Sequence, residues 1–178
     1  MNFYTISNLN WNGGLIDFSN AKSRLSSFFI WNEGDGRFLH YSKPKGKAQI
    51  SFQRDKLINS DYLPANIGIP LFSKKAKDVF EKRISSEMSF YECSVECEGS
   101  DELFFLCKVE NYLSIIDEEQ SSFRQLLDGT KLIDIPSYKC DELFFIARDK
   151  VFCERLIVSQ KFVDTCDEEG IHMDFIRC

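Results

Sequence analysis

The residues best suited to chemistry in this chain are the carboxylate run Asp117-Glu118-Glu119, the cysteines Cys93 and Cys97, and two histidines, His40 and His172. Adjacent carboxylates can act as a general acid and base, but that work needs a cleft that drives their proton affinities apart. Three consecutive acids ahead of Gln120 and Phe123 fit another role better, as favourable charges at the positive end of a helix dipole with Asp117 as the cap. Tyr91, Cys93, Val95 and Cys97 alternate with Glu92, Ser94 and Glu96, so the two cysteines share the inner face of a strand, about 13 Å apart. That separation excludes a disulfide between them. A zinc site needs a close cysteine pair or a Cys/His set at ligand spacing, and neither histidine has a second ligand near it in sequence. His172, between Ile171 and Met173, reads as a strand residue and completes no Ser/His/Asp set. Lys43-Pro44-Lys45-Gly46-Lys47 is a basic loop lacking the spaced glycines and following helix of a phosphate cradle. The chain is therefore expected not to be an enzyme, and no cofactor or metal is expected.

The elements that position these residues are organised around a repeated plan. Leu71-Phe72 leads to Ser73, Lys75 and Asp78; Leu156-Ile157-Val158 leads to Ser159, Lys161 and Asp164 in the same Ser-x-Lys-x-x-Asp string. A serine hydroxyl can accept a hydrogen bond from a free N–H of the first helical turn, so both serines are expected to be N-caps. Ala76, Val79, Phe80 and Ile84 fall on one face of the first helix; Phe162, Val163 and Cys166 do so in the second, which Gly170 ends. Strands follow each helix, one of them Phe90–Cys97. Leu103–Cys107 is apolar throughout, as a strand buried on both faces would be, and the string Asp-Glu-Leu-Phe-Phe at 101–105 recurs at 141–145, suggesting two central strands. Phe3–Ile6 reads as an edge strand. Ser19 is expected to cap a short helix with Ala21 and Leu25 inward, and Phe28–Trp31 and Phe38–Tyr41 to pair as a hairpin across Asn32–Gly36. Ile50 and Phe52 begin a further strand. Asp117 is expected to start a helix with Phe123, Leu126 and Leu127 inward and Gly129 as its stop.

At 178 residues, 43% of them hydrophobic, the chain can bury a core without staples. One domain over 1–178 is expected, with a hairpin-rich part over 1–60 and a core over 67–176. No apolar run approaches the ~20 residues that span a bilayer, and Met1–Ile6 lacks the basic and apolar regions of a secretory signal, so a cytoplasmic address without membrane contact is expected. Seven cysteines, an odd number set mostly in apolar strings, suit buried thiols in a reducing compartment.

Charge is divided along the chain: Lys43–Arg83 holds ten Lys/Arg against four Asp/Glu, whereas from Ile84 onward there are nine against twenty-one. An acidic surface does not suit nucleic acid; it suits a basic protein, although the same acids would also serve a merely solvated exterior. The candidate partner-binding residues are Asp117, Glu118, Glu119, Asp167, Glu168 and Glu169. The second run sits near a helix end, where the dipole opposes acids.

The order of these elements resembles a bacterial polymorphic-toxin immunity family, formerly known as a domain of unknown function. The resemblance is carried by Gly68-Ile69-Pro70-Leu71-Phe72-Ser73 with its helix; by Ile116-Asp117-Glu118-Glu119-Gln120-Ser121, with Asp117 and Ser121 as its Asp-x-x-x-Ser; by Leu143–Ala147; and by Leu156-Ile157-Val158-Ser159 with its helix and closing strand. It covers about residues 67–176 and leaves the first 60 unmatched. It implies an α+β fold, a mixed or mostly antiparallel sheet with two or more helices packed on it, and neutralisation of a cognate toxin domain by stoichiometric binding. Asp117, Ser121 and the two serines enter as fold markers. A ligand-binding or scaffold module, or a small enzyme reversing the toxin's modification, are the alternative functions, and the oligomeric state is left open.

Overall fold

Apolar residues recur at strand period through much of the chain and at helical period in short segments, and the computed structural model, which describes residues 2–8, 11 and 14–178, follows that division. The chain runs β1 (Phe3–Ile6), β2 (Ile16–Asp17), α1 (Lys22–Phe29), α2 (Phe38–Tyr41), β3 (Lys45–Ala48), α3 (Arg54–Ile58) and β4 (Tyr62–Leu63). Next come β5 (Leu71–Phe72), α4 (Lys74–Arg83), β6 (Met88–Cys97), β7 (Ser100–Val109) and β8 (Tyr112–Leu113). The last elements are β9 (Ser122–Gln125), β10 (Lys131–Ile135), β11 (Ile146–Asp149), β12 (Leu156–Ser159), α5 (Gln160–Glu168) and β13 (Phe175–Arg177). The fold is α+β. One sheet has the order β2-β3-β6-β7-β5-β4, a second β13-β1-β12-β11-β8, and β9 with β10 forms a two-stranded sheet of its own.

β6 and β7 make the longest pairing, from Met88 opposite Val109 to Cys97 opposite Ser100. Glu98 and Gly99 join them at φ 51° and 80°, the doubly positive geometry that a two-residue hairpin loop requires. Cys93, Val95 and Cys97 are buried as their alternation predicts. Gly46 is fixed by close approach: a Cβ there would lie 2.6 Å from the Phe18 ring.

The two sheets share a core in which Cys107 and Val109 of β7 meet Ile146 of β11 and Val158 of β12. Both repeated units close over it. Phe80 of α4 and Phe162 of α5, each fully buried, stack with centroids 5.0 Å apart. Ser73 caps α4 as expected: its hydroxyl accepts from the Ala76 N–H at 3.1 Å and donates to Asp61 Oδ1 at 2.9 Å. Ser159 holds the corresponding position on α5, but its hydroxyl makes no capping bond and is buried with no partner among the described residues. Pairing of Ser159 with Phe3 and donation of its N–H to Phe145 O orient it as the last strand residue. The two serines are thus expected to differ on substitution. Ser73→Ala should lose about 1 kcal/mol, as removal of a working cap does, whereas Ser159→Ala should cost less than about 0.5 kcal/mol because no hydrogen bond is lost. Equal losses in urea denaturation would contradict the difference between them.

Several expectations from the sequence are corrected. Phe28 and Phe29 belong to α1, not to a strand, and Phe38–Tyr41 is α2, so the expected N-terminal hairpin is absent. Leu25, Phe28 and Phe29 lie at i, i+3 and i+4 and are all buried, with the two rings edge-on to Tyr91 at 5.3 and 5.4 Å; that packing overrides the strand preference of aromatics. Ala21, not Ser19, precedes α1, and the Ser19 backbone N–H and hydroxyl both donate to Asp17. The strand near Ile50 lies earlier, in the basic stretch at β3, and Ile50 itself is exposed. β1 is paired on both sides rather than at an edge. Residues 141–145 form no strand but lead into β11, and the N–H groups of Phe145 and Ile146 both donate to the Glu87 carboxylate. His172 lies outside any strand, before β13.

Candidate functional site

α5 buries Phe162, Thr165 and Cys166 on one face, and the 3.6-residue period therefore turns Asp164, Asp167 and Glu168 outward. Its last turn holds no basic residue. The charge here is partly answered from outside the helix. Glu169, half-buried, accepts from Arg83 Nε at 2.9 Å at the end of α4, and this bond, helped by the nearby Glu168, holds the Arg83 guanidinium above its ordinary value. Asp167 and Glu168 stay exposed. Gly170 follows at φ 63°, the left-handed turn expected after a helix, and its carbonyl accepts from Lys75.

Asp117 does not start a helix. Its side chain accepts from the N–H groups of Glu119 and Gln120 in a turn, and the chain then enters the β9–β10 hairpin. Asp128-Gly129, with Gly129 at φ 87°, makes the reversal, and Phe123 and Ile133 face each other across the ladder. Leu126 and Leu127, expected inward, are exposed, Leu127 completely. Lys131 pairs with Glu118 at 2.9 Å and sits 3.7 Å over the Phe123 ring, which stacks on Phe152 at 5.8 Å. Glu119 remains exposed. The base of the hairpin is tied by the family-marking residues: Asp117 N–H donates to Ser137 O at 2.9 Å, and the Ser121 hydroxyl accepts from Ser137 N–H at 2.8 Å. Alongside its middle, above that root, opens a groove of about 460 Å³ lined by Trp31, Arg124, Lys131, Leu132, Phe152 and Arg155.

Beneath that root lies Asp149, 2% exposed, whose carboxylate accepts from four backbone N–H groups. Oδ2 receives Ile115 and Ile116, each at 2.9 Å; Oδ1 receives Val151 at 2.9 Å and Phe152 at 2.8 Å. Its neighbour Arg148 is fully buried, donating to Cys153 O at 2.9 Å and Gly68 O at 3.0 Å. Burial pushes its guanidinium below the ordinary value.

Sequence reasoning missed a second polar centre. Asp61, 6% exposed, accepts from the Ser73 hydroxyl, from the His172 backbone N–H at 2.9 Å and from Lys75 Nζ at 3.3 Å. A serine, an aspartate and a histidine meet here, but the histidine contributes its backbone and the serine oxygen already serves Ala76. The arrangement fastens the start of α4 to the chain after α5. Its members lie up to 111 residues apart, so no local pattern announced it.

Among the described residues no group of three or more His, Cys, Asp or Glu side chains is placed to hold a metal ion. Burial raises the thiols of Cys93 and Cys166, each to about 12, which suits packing rather than nucleophilic chemistry. No helix is long and apolar enough to cross a membrane among the described residues. No hydrogen bond or ion pair among the described residues joins the two acidic runs, which stand on separate elements.

Fold and surface together define an α+β protein with outward acidic turns and a projecting hairpin. The sequence matches the model of the immunity protein family Imm11 over residues 5–172, and the chain belongs to that family. The match takes in nearly all of the first 60 residues, beyond the 67–176 stretch that carries the resemblance. No curated protein matches the chain. Membership implies a toxin-neutralising immunity role, with a protein toxin as the general partner.

Proposed function

We propose that this protein acts in the cytoplasm as a stoichiometric inhibitor, binding one cognate toxin domain and occluding its working surface without catalysing any reaction. The observation that carries this reading is membership of an immunity family over most of the chain. The charge distribution supports an acidic contact surface drawn from Asp117, Glu118 and Glu119 and from Asp167, Glu168 and Glu169. Asp167 and Glu168 are the stronger candidates, because they hold exposed negative charge where the helix dipole opposes it. Glu169 contributes less, being committed to Arg83.

The test begins with a pull-down of the tagged chain from its native host and proceeds to titration of the toxin domain so captured. Inhibition should be complete at one equivalent and lost when toxin is in tenfold excess; protection persisting at that excess would sink the inhibitor reading, since a blocker does not turn over. Reversing Asp167 and Glu168 to lysine should slow association about tenfold at low salt and flatten its salt dependence. An unchanged rate from about 50 to 500 mM salt would remove this surface from the interface while leaving the inhibitor reading in place.

A further inference from the structure

The β9–β10 hairpin is a two-stranded arm tied to the rest of the molecule at its ends and through one ring. Its inner residues Phe123 and Ile133 face each other, and Phe123 rests on Phe152. Its ends are tied through Ser121, Ser137 and Asp117, and Asp149 fixes both the chain entering it and the Val151-Phe152 turn beneath it. Neither strand of the arm pairs with a third. Twelve large apolar side chains are exposed among the described residues, and half of them belong to the arm or to the groove beside it: Leu126, Leu127, Leu132 and Ile135 on the arm, with Trp31 and Val151 in the groove. Scattered singly they would need no explanation, but adjacent leucines exposed at the tip of one hairpin have the composition of a contact surface.

Charge specifies what the surface fits. Residues 117–135 carry Asp117, Glu118, Glu119, Asp128 and Asp134 against Arg124 and Lys131, and both cations are already paired, at 3.3 Å with Asp134 and 2.9 Å with Glu118. Asp128 stands directly beside the tip leucines, its carboxylate accepting from the Thr130 N–H at 2.9 Å and joined to no cation among the described residues. The complementary surface is an apolar cleft bordered by Lys and Arg.

We propose that the arm enters such a basic-rimmed apolar cleft on the cognate toxin domain, with Leu126 and Leu127 as the inserted tip and the Asp128 carboxylate beside them meeting the cleft's border. This rests on the inhibitor reading and adds the element that makes the contact. Ordering before binding gives the arm its value, because a loop already held in its bound shape loses little entropy on docking.

The experiment measures affinity and dissociation rate for the purified toxin domain captured by that pull-down, with the full chain and with Leu127→Asp, Leu126→Ser/Leu127→Ser and the control Leu143→Asp, an exposed leucine outside the arm. Thermal melts establish that each variant is folded. Leu127→Asp should weaken binding at least about tenfold, mainly through faster dissociation, with Leu143→Asp within about twofold of the unaltered chain. If the unaltered chain binds and inhibits the toxin but Leu127→Asp does so equally well, the arm is not the contact and the inhibitor reading stands. Failure of the unaltered chain to bind the toxin overturns both. Self-association that Leu127→Asp abolishes, with toxin affinity unchanged, overturns the proposal in favour of a contact between copies of this chain.

Discussion

Asp149→Ala is expected to lower the unfolding free energy by about 3 kcal/mol, because two of the N–H groups it accepts, those of Ile115 and Ile116, are buried and would be left without a partner. The N–H groups of Val151 and Phe152 belong to a turn that water can reach, so their loss is less costly. For a chain of this length the corresponding drop in Tm is roughly 6–12 °C. Asp149→Asn should fall between Ala and the native residue: its amide oxygen can still serve one donor pair, while its NH2 faces the other pair and accepts nothing. Urea denaturation decides the matter, and a loss below about 1 kcal/mol for the alanine variant would show that the carboxylate is not what holds these segments. The position also links stability to function. Since Asp149 pins the root of the hairpin and the Phe152 turn on which it rests, the asparagine variant, if folded, should present the arm less rigidly.

Phe162→Ala is expected to cost about 3–5 kcal/mol. The ring is fully buried, stacks on Phe80 at 5.0 Å and meets Phe175 edge-on at 6.1 Å, so truncation opens a cavity at the place where both strand–helix units and β13 converge. Phe162→Leu keeps most of the volume and should cost less than about 1.5 kcal/mol. Because Phe80 and Phe162 touch, the double alanine variant should depart from the sum of the singles, by about 0.5 kcal/mol or more. Additivity within about 0.3 kcal/mol would mean that the two helices are anchored independently, contrary to the stacking.

The elements legible in the sequence are those for which local and tertiary demands agree. Ser73 with Ala76, Val79, Phe80 and Ile84 specified α4; the alternation from Tyr91 to Cys97 specified β6 and which of its residues are inward; and Phe162, Val163 and Cys166 with Gly170 specified α5 and its end. The hairpin at Ser122–Ile135 is hidden in the sequence because Phe123, Leu126 and Leu127 have helical spacing and Gly129 serves equally as a helix stop and as a turn residue. The strand prevails because Phe123 pairs opposite Ile133 across the ladder and stacks on Phe152, contacts made with residues distant along the chain. At Phe28 and Phe29 the opposite conflict arose, and the helix prevailed because Tyr91 of β6 packs against both rings.

By itself the sequence determined the two strand–helix units, the buried cysteine face of β6 and the acidic bias of the C-terminal half, since each follows from residue type and short-range period; the α+β class came from the family resemblance. Only the tertiary structure decided that Ser73 is a working cap and Ser159 is not, that Asp61 and Asp149 are hubs for backbone donors, and that residues 122–135 stand out as an arm. The physical reason is distance along the chain. A carboxylate's partners are chosen by proximity in space, and those of Asp149 include N–H groups up to 34 residues away while those of Asp61 reach 111; no spacing rule connects residues brought together by the closing of two sheets over one core.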